Sequence, residues 1–193
     1  DLVVDPETKG IQYVCAWLVV NEKYPPAIHP DYEALLKEPV VITMDQLDFE
    51  PYVLLVRLGQ KLMINNKDQV GHNPSTHVAS GGIFPVTSNY EMQLQTKPTS
   101  VPQPVSCSIH PWMSALIHIQ DHPYMAVSNA EGELQIKKLP VGKHNFVFWH
   151  PLSGRITEIK RGDKVEKIPK GRLTVEIKPT NNYLGEITVK PAE

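Results

Sequence analysis

The stretch CSIHPWMSALIHIQ, residues 107–120, carries two signals at once. Its second half sets Ala115, Ile117 and Ile119 two residues apart, the period of a half-buried strand. Its first half spaces a thiol, an imidazole and a thioether three residues apart, at Cys107, His110 and Met113. The segment is therefore either a turn between two strands that happens to hold sulfur and imidazole, or a loop offering three ligands to one metal ion.

Working outward, the rest of the chain is of the same kind. Short runs such as IQYVCAWLVV, PVVITM, YVLLVRL, QKLMINN, YEMQLQT, ELQIKKL, HNFVFWH, RLTVEIK and GEITVK recur between turn residues. The 18 prolines and 11 glycines are spread along the whole length and interrupt any helical pattern within three turns. Many short strands punctuated in this way predict an all-β sandwich or barrel. One short helix is predicted in PDYEALLKE, with Asp31 capping its start. KPTSVPQPVS is a proline-rich approach to Cys107, and HPLSGRITEIKRGDKVEKIPKG reads as a charged, glycine-punctuated loop region.

Thiolate, imidazole and thioether are soft and borderline donors, a set suited to copper rather than to magnesium or calcium. A trigonal site needs a second imidazole from elsewhere, and QKLMINNKDQVGHN, residues 60–73, offers His72 in the turn after a strand. Two imidazoles and a thiolate in one plane, with a distant methionine, are the donors of a blue-copper electron-transfer centre.

On these residues the chain resembles the cupredoxins. The matching positions are Gly59, Asn66, Asp68, His72, Asn73, Cys107, His110 and Met113, and the short loop from Cys107 to Met113 looks most like that of the amicyanins. The resemblance covers roughly residues 39–120 and implies a Greek-key β-sandwich holding one copper ion. It implies that His72, Cys107 and His110 form the copper plane, that Met113 is the axial ligand, and that Asn73 ties the two ligand loops together. It further implies an exported, periplasmic or secreted protein that passes single electrons to a redox partner docked near His110. Pro74, directly after Asn73, departs from the family pattern because it removes a ladder donor. The proline-rich lead into Cys107 is a second departure, and both bear on how closely the copper geometry follows the blue type.

The remaining sequence narrows the alternatives. A formal charge of -2, from 19 basic and 21 acidic residues, leaves no basic field for nucleic acid or an anionic membrane. The longest apolar run is far shorter than the roughly 20 residues that span a bilayer. The chain starts at Asp1 without Met, which fits a mature or a trimmed chain and leaves an export signal unseen. Cys15, in an apolar run, reads as a buried thiol, with a disulfide to Cys107 as the alternative. His118 and His122 share a face and with His150 could form a second metal site, but satisfied or solvated histidines are the favoured account. His77 is expected at the surface. No hydrolase elbow, metalloprotease helix or phosphate-binding glycine loop is present, which argues against an enzyme.

Residues 1–38 and 121–193 resemble the carboxypeptidase-regulatory, transthyretin-like β-sandwiches. The expectation is one discontinuous small β-sandwich with the copper domain inserted into it, or else an extension of the copper domain's own sheets. Two other functional classes stay open from sequence: a module that stores or delivers copper, and a structural module with a vestigial site.

Overall fold

The computed structural model describes residues 2–21, 23, 25–78, 82–92, 94 and 97–189. Almost all of its regular structure is β. The chain divides into two compact units, one of residues 30–123 and one made from residues 1–29 and 124–193. Among the described residues, no helix is long and apolar enough to cross a membrane.

The unit of residues 30–123 contains two four-stranded sheets. In the first, the order is Asp48–Glu50, Val40–Asp45, Leu62–Asn66, Ser88–Met92, with the middle pair parallel. In the second, the order is Val53–Arg57, Ser114–Gln120, Gln103–Cys107, Pro74–Thr76, with the first pair parallel. Period-2 alternation decides what several strands bury, while Val53–Arg57 is buried on both faces. Leu62, Ile64 and Asn66 point inward from one strand, and Ala115, Ile117 and Ile119 from another. The inward faces of both sheets form one core that includes Ile42, Met44, Phe49, Val56, Ile64 and Ile117. Each such side chain removed from water stabilises the fold by about 1.5–3 kcal/mol. Cys107 and Met113 belong to this core, so the candidate ligand loop is rooted in it.

Several local expectations are corrected. The helix Asp31–Leu35 begins at Asp31 itself, with Pro30 as the capping residue and no side-chain cap. Pro74 does not break the strand pattern. It opens an edge strand, where a missing N–H is tolerated. The proline-rich lead into Cys107 is likewise a strand, Gln103–Cys107, and Pro104 lies within it.

The other unit is built around Gly142–His150. Cys15–Leu18 pairs with it on one side, and Arg172–Ile177 and Gly154–Arg155 also pair with it; Met125–Val127 joins Cys15–Leu18. All four residues of Cys15–Leu18 are buried, which explains their unbroken apolar run. The segment expected as a charged loop contains a hairpin, Glu158–Arg161 with Lys164–Lys167. Gly162 turns it at φ 57°, and Ile159 and Ile168 bury beside Ile156 and Leu173. ELQIKKL has the alternation of a strand but no ladder partner. Among the described residues GEITVK contributes a single bridge, Lys160 to Thr188. Two glycines allow the N-terminal segment to cross the loop after residue 128, since a Cβ at Gly10 would lie 1.8 Å from the Glu131 carbonyl oxygen.

Cys15 and Cys107 are both free and buried, which removes the disulfide alternative. Burial pushes the Cys15 thiol up to about 12. His77 is exposed, as expected. His118 is fully buried, with Nδ1 2.8 Å from Thr99 Oγ1 and Nε2 3.1 Å from Gln120 Nε2, so it is a satisfied core histidine.

Burial also holds the His118 pKa at about 4, below its ordinary 6.5. Between those values the unfolded chain binds the proton and the folded chain does not, so this contribution to stability is complete above pH 6.5 and is lost as pH falls toward 4. The expected loss between pH 7 and pH 4 is on the order of 3 kcal/mol. Denaturant unfolding at the two pH values measures it, and His118→Gln should lose less stability across the same window.

Candidate metal centre

His72 and Cys107 meet because their strands are neighbours. Pro74 stands opposite Cys107 in the antiparallel ladder of Pro74–Thr76 and Gln103–Cys107. The residues just before Pro74 therefore lie beside those just after Cys107. Asn73 closes the junction in three ways. Its Nδ2 donates to Ser108 Oγ at 2.9 Å, its carbonyl accepts from Ser108 N at 3.1 Å, and its own N–H points at Cys107 Sγ from 3.4 Å.

The loop from Cys107 to Met113 closes on itself. The His110 N–H points at Cys107 Sγ from 3.4 Å, Met113 N donates to the His110 carbonyl at 3.0 Å, and Cys107 N donates to the Met113 carbonyl at 3.4 Å. The sulfur thus faces two backbone N–H groups, one from each ligand loop. Met113 is fully buried under the loop. His110 is half-buried, and around it Ile109 and Trp112 are exposed, with the Trp112 ring centred 5.3 Å from the His110 ring.

His72, Cys107 and His110 come together. Cys107 Sγ lies 3.8 Å from both His72 Nδ1 and His110 Nδ1, and the two nitrogens are 3.0 Å apart. Among the described residues these three form the one group of His, Cys, Asp and Glu side chains close enough to share an ion. His118, His122 and His150 form no such group. The separations suit three donors around one ion at about 2.0–2.1 Å from each nitrogen and about 2.3 Å from the sulfur. Sulfur and two imidazoles in a largely buried pocket are also the chemistry that a soft or borderline metal selects.

Sequence reading assigned Asp68 only to a pattern and missed its contact. Its Oδ2 accepts from His72 Nε2 at 2.8 Å and from Leu47 N at 3.1 Å, with the carboxylate side chain 11% exposed and the imidazole 0%. Asn66, buried at the end of its strand, takes the Asp68 N–H on Oδ1 and donates through Nδ2 to the Val70 and Pro85 carbonyls. The available signal was the spacing of Asp68 and His72, four residues apart in one turn.

No family model and no curated protein matches the chain. Solved structures of amicyanin are similar to part of it. A Cu(I) form of one amicyanin variant is 16% identical over 42% of this chain and 82% of that chain, with a TM-score of 0.37. A reduced Cu(I) form of another variant at pH 4 is 18% identical over 44% and 84%, with a TM-score of 0.37. An oxidized form of a third is 16% identical over 54% and 98%, also at 0.37.

Asn73→Ala removes the side-chain bond to Ser108 and leaves the two backbone contacts in place. The metal-free protein should lose about 1 kcal/mol of stability. Denaturant unfolding beside the parent measures this.

Proposed function

We propose that the chain is a mononuclear copper protein that carries single electrons between redox partners, with residues 30–123 as its copper-binding unit. The observation that carries this reading is the convergence of Cys107 Sγ, His72 Nδ1 and His110 Nδ1 within 3.8 Å of one another. His72, Cys107 and His110 would hold the ion in a plane, with Met113 as the weak axial donor. Copper, when bound, supplies a one-electron couple between Cu(I) and Cu(II).

The chain's own part is to keep the donors still. Six hydrogen bonds and N–H contacts within and between the two ligand loops, two from Asn73 and one each from Ser108, His110, Met113 and Cys107, hold the donor atoms in one arrangement. Fixed donors suit electron transfer, because little rearrangement accompanies a change of oxidation state. A module for delivering copper needs a loop that opens, and this one is closed by its own backbone, which favours transfer over delivery.

Electrons would pass through His110, the most exposed of the three donors, where Ile109, Pro111 and Trp112 provide an apolar docking surface for a redox protein. The place of action would be the periplasm or the cell exterior. The unit of residues 1–29 and 124–193 would be a carrier β-sandwich interrupted by the copper unit, without ligands of its own.

Addition of Cu(II) to the metal-free protein, followed by visible and EPR spectroscopy, tests the reading. The expected result is one copper per chain and an intense thiolate-to-copper band. Cys107→Ser should abolish the band while Cys15→Ser retains it, since Cys15 is buried in the other unit. His110→Gly should lose intensity that added imidazole restores. Met113→Leu should keep colour and raise the reduction potential by removing a donor to Cu(II). A Cys107→Ser protein with the parent's copper spectrum would overturn the assignment.

A further inference from the structure

Asp68 lies one hydrogen bond beyond the candidate ligands. A carboxylate can only accept, so the 2.8 Å contact requires His72 Nε2 to carry the ring proton. Nδ1 then presents its lone pair toward Cys107 Sγ and His110 Nδ1. The ring is fully buried, so water does not compete for Nε2.

The carboxylate is itself held. Its Oδ2 also accepts from Leu47 N, the second of two residues, Gln46 and Leu47, that turn the adjacent hairpin at φ 53° and 61°. The Asp68 backbone N–H donates to Asn66 Oδ1 at 3.0 Å, and Asn66 Nδ2 fastens the far side of the same turn to Val70 and Pro85. One oxygen therefore joins the hairpin turn, the ligand turn and the imidazole.

We propose that Asp68 is the positioning residue of the copper centre: its carboxylate fixes the tautomer and ring orientation of His72 and, through its negative charge, makes that imidazole a stronger donor. This rests on the copper reading of the site. An anionic acceptor polarises the ring N–H more than a neutral one, which favours the higher-charged Cu(II) state and lowers the reduction potential. Positioning and charge are separable in this geometry. In Asp68→Asn the amide oxygen can occupy the place of Oδ2 and accept both existing bonds, while the charge is lost. Asp68→Ala loses both.

Three measurements on the full chain test the proposal. In the metal-free protein, the His72 Nε2–H resonance should be protected from exchange in the parent and in Asp68→Asn, and lost in Asp68→Ala. With copper, Asp68→Asn should keep the visible band and EPR pattern of the parent while its potential moves upward. With Zn(II) alone, affinity should fall about ten-fold in Asp68→Asn and toward about a hundred-fold in Asp68→Ala, the range for partners of metal-bound histidines. The proposal is overturned if Asp68→Asn has the parent's potential and zinc affinity, or if Asp68→Ala keeps the protected resonance. A parent that takes up no copper overturns the electron-carrier reading instead, and the resonance in the metal-free protein then still decides the tautomer assignment.

Discussion

The register between Pro74–Thr76 and Gln103–Cys107 governs everything at the candidate ligand end of the unit of residues 30–123. Pro74 opposite Cys107 puts the His72–Asn73 turn beside the Cys107 loop and lets Asn73 reach both the sulfur and Ser108. Because strand side chains alternate, a slip of one residue would turn Cys107 and Val105 out of the core. The apolar burial that fixes register therefore also fixes the donor atoms. Core packing thus brings the two loops together, and their hydrogen bonds and the Asp68 carboxylate set the donor atoms within them.

Proline adds to this. Pro74 lacks an N–H, which an edge strand tolerates; Pro104 sits in an inner strand, but past Thr76 opposite Val105, the last pair on its Pro74–Thr76 side. The position of Pro74 just after the histidine turn ends the turn abruptly and starts the ladder at once. The feature that looked like a departure from a regular strand is compatible with a short, well-defined one.

Much of this was legible in the sequence because it depends on local periodicity. QKLMINN and the first half of SALIHIQ show the alternation that their burial follows, YVLLVRL reads as the apolar block that is buried on both faces, and the soft donors at Cys107 and His110 stand three residues apart on a turn that brings them together. What was hidden depends on partners far away in the chain. ELQIKKL alternates like a strand, yet a strand exists only where a neighbour offers a ladder of N–H and C=O groups, and among the described residues this segment joins no ladder. The Glu158–Lys167 hairpin was concealed by charge, because its outward residues outnumber the few isoleucines that anchor it. Asp68 was concealed differently: a carboxylate four residues before a histidine is common, and only the turn built by Asn66 aims it at the ring.

The second unit joins the two ends of the described chain. Cys15 pairs with Trp149, Ser128 Oγ donates to the Ile11 carbonyl, and Gly10 passes against Glu131. On a ribosome, the strand Cys15–Leu18 emerges early and its two ladder partners emerge only after the whole of residues 30–123. Its unbroken apolar face, CAWL, must wait through that interval, while the intervening unit has every strand partner it needs within its own length. Domains commonly fold as units during synthesis, and unpaired apolar strands are where aggregation starts. The order of emergence thus makes the first strand the exposed liability of this chain during its biosynthesis, and rapid completion of the inserted unit shortens the distance between the ends that must later find each other.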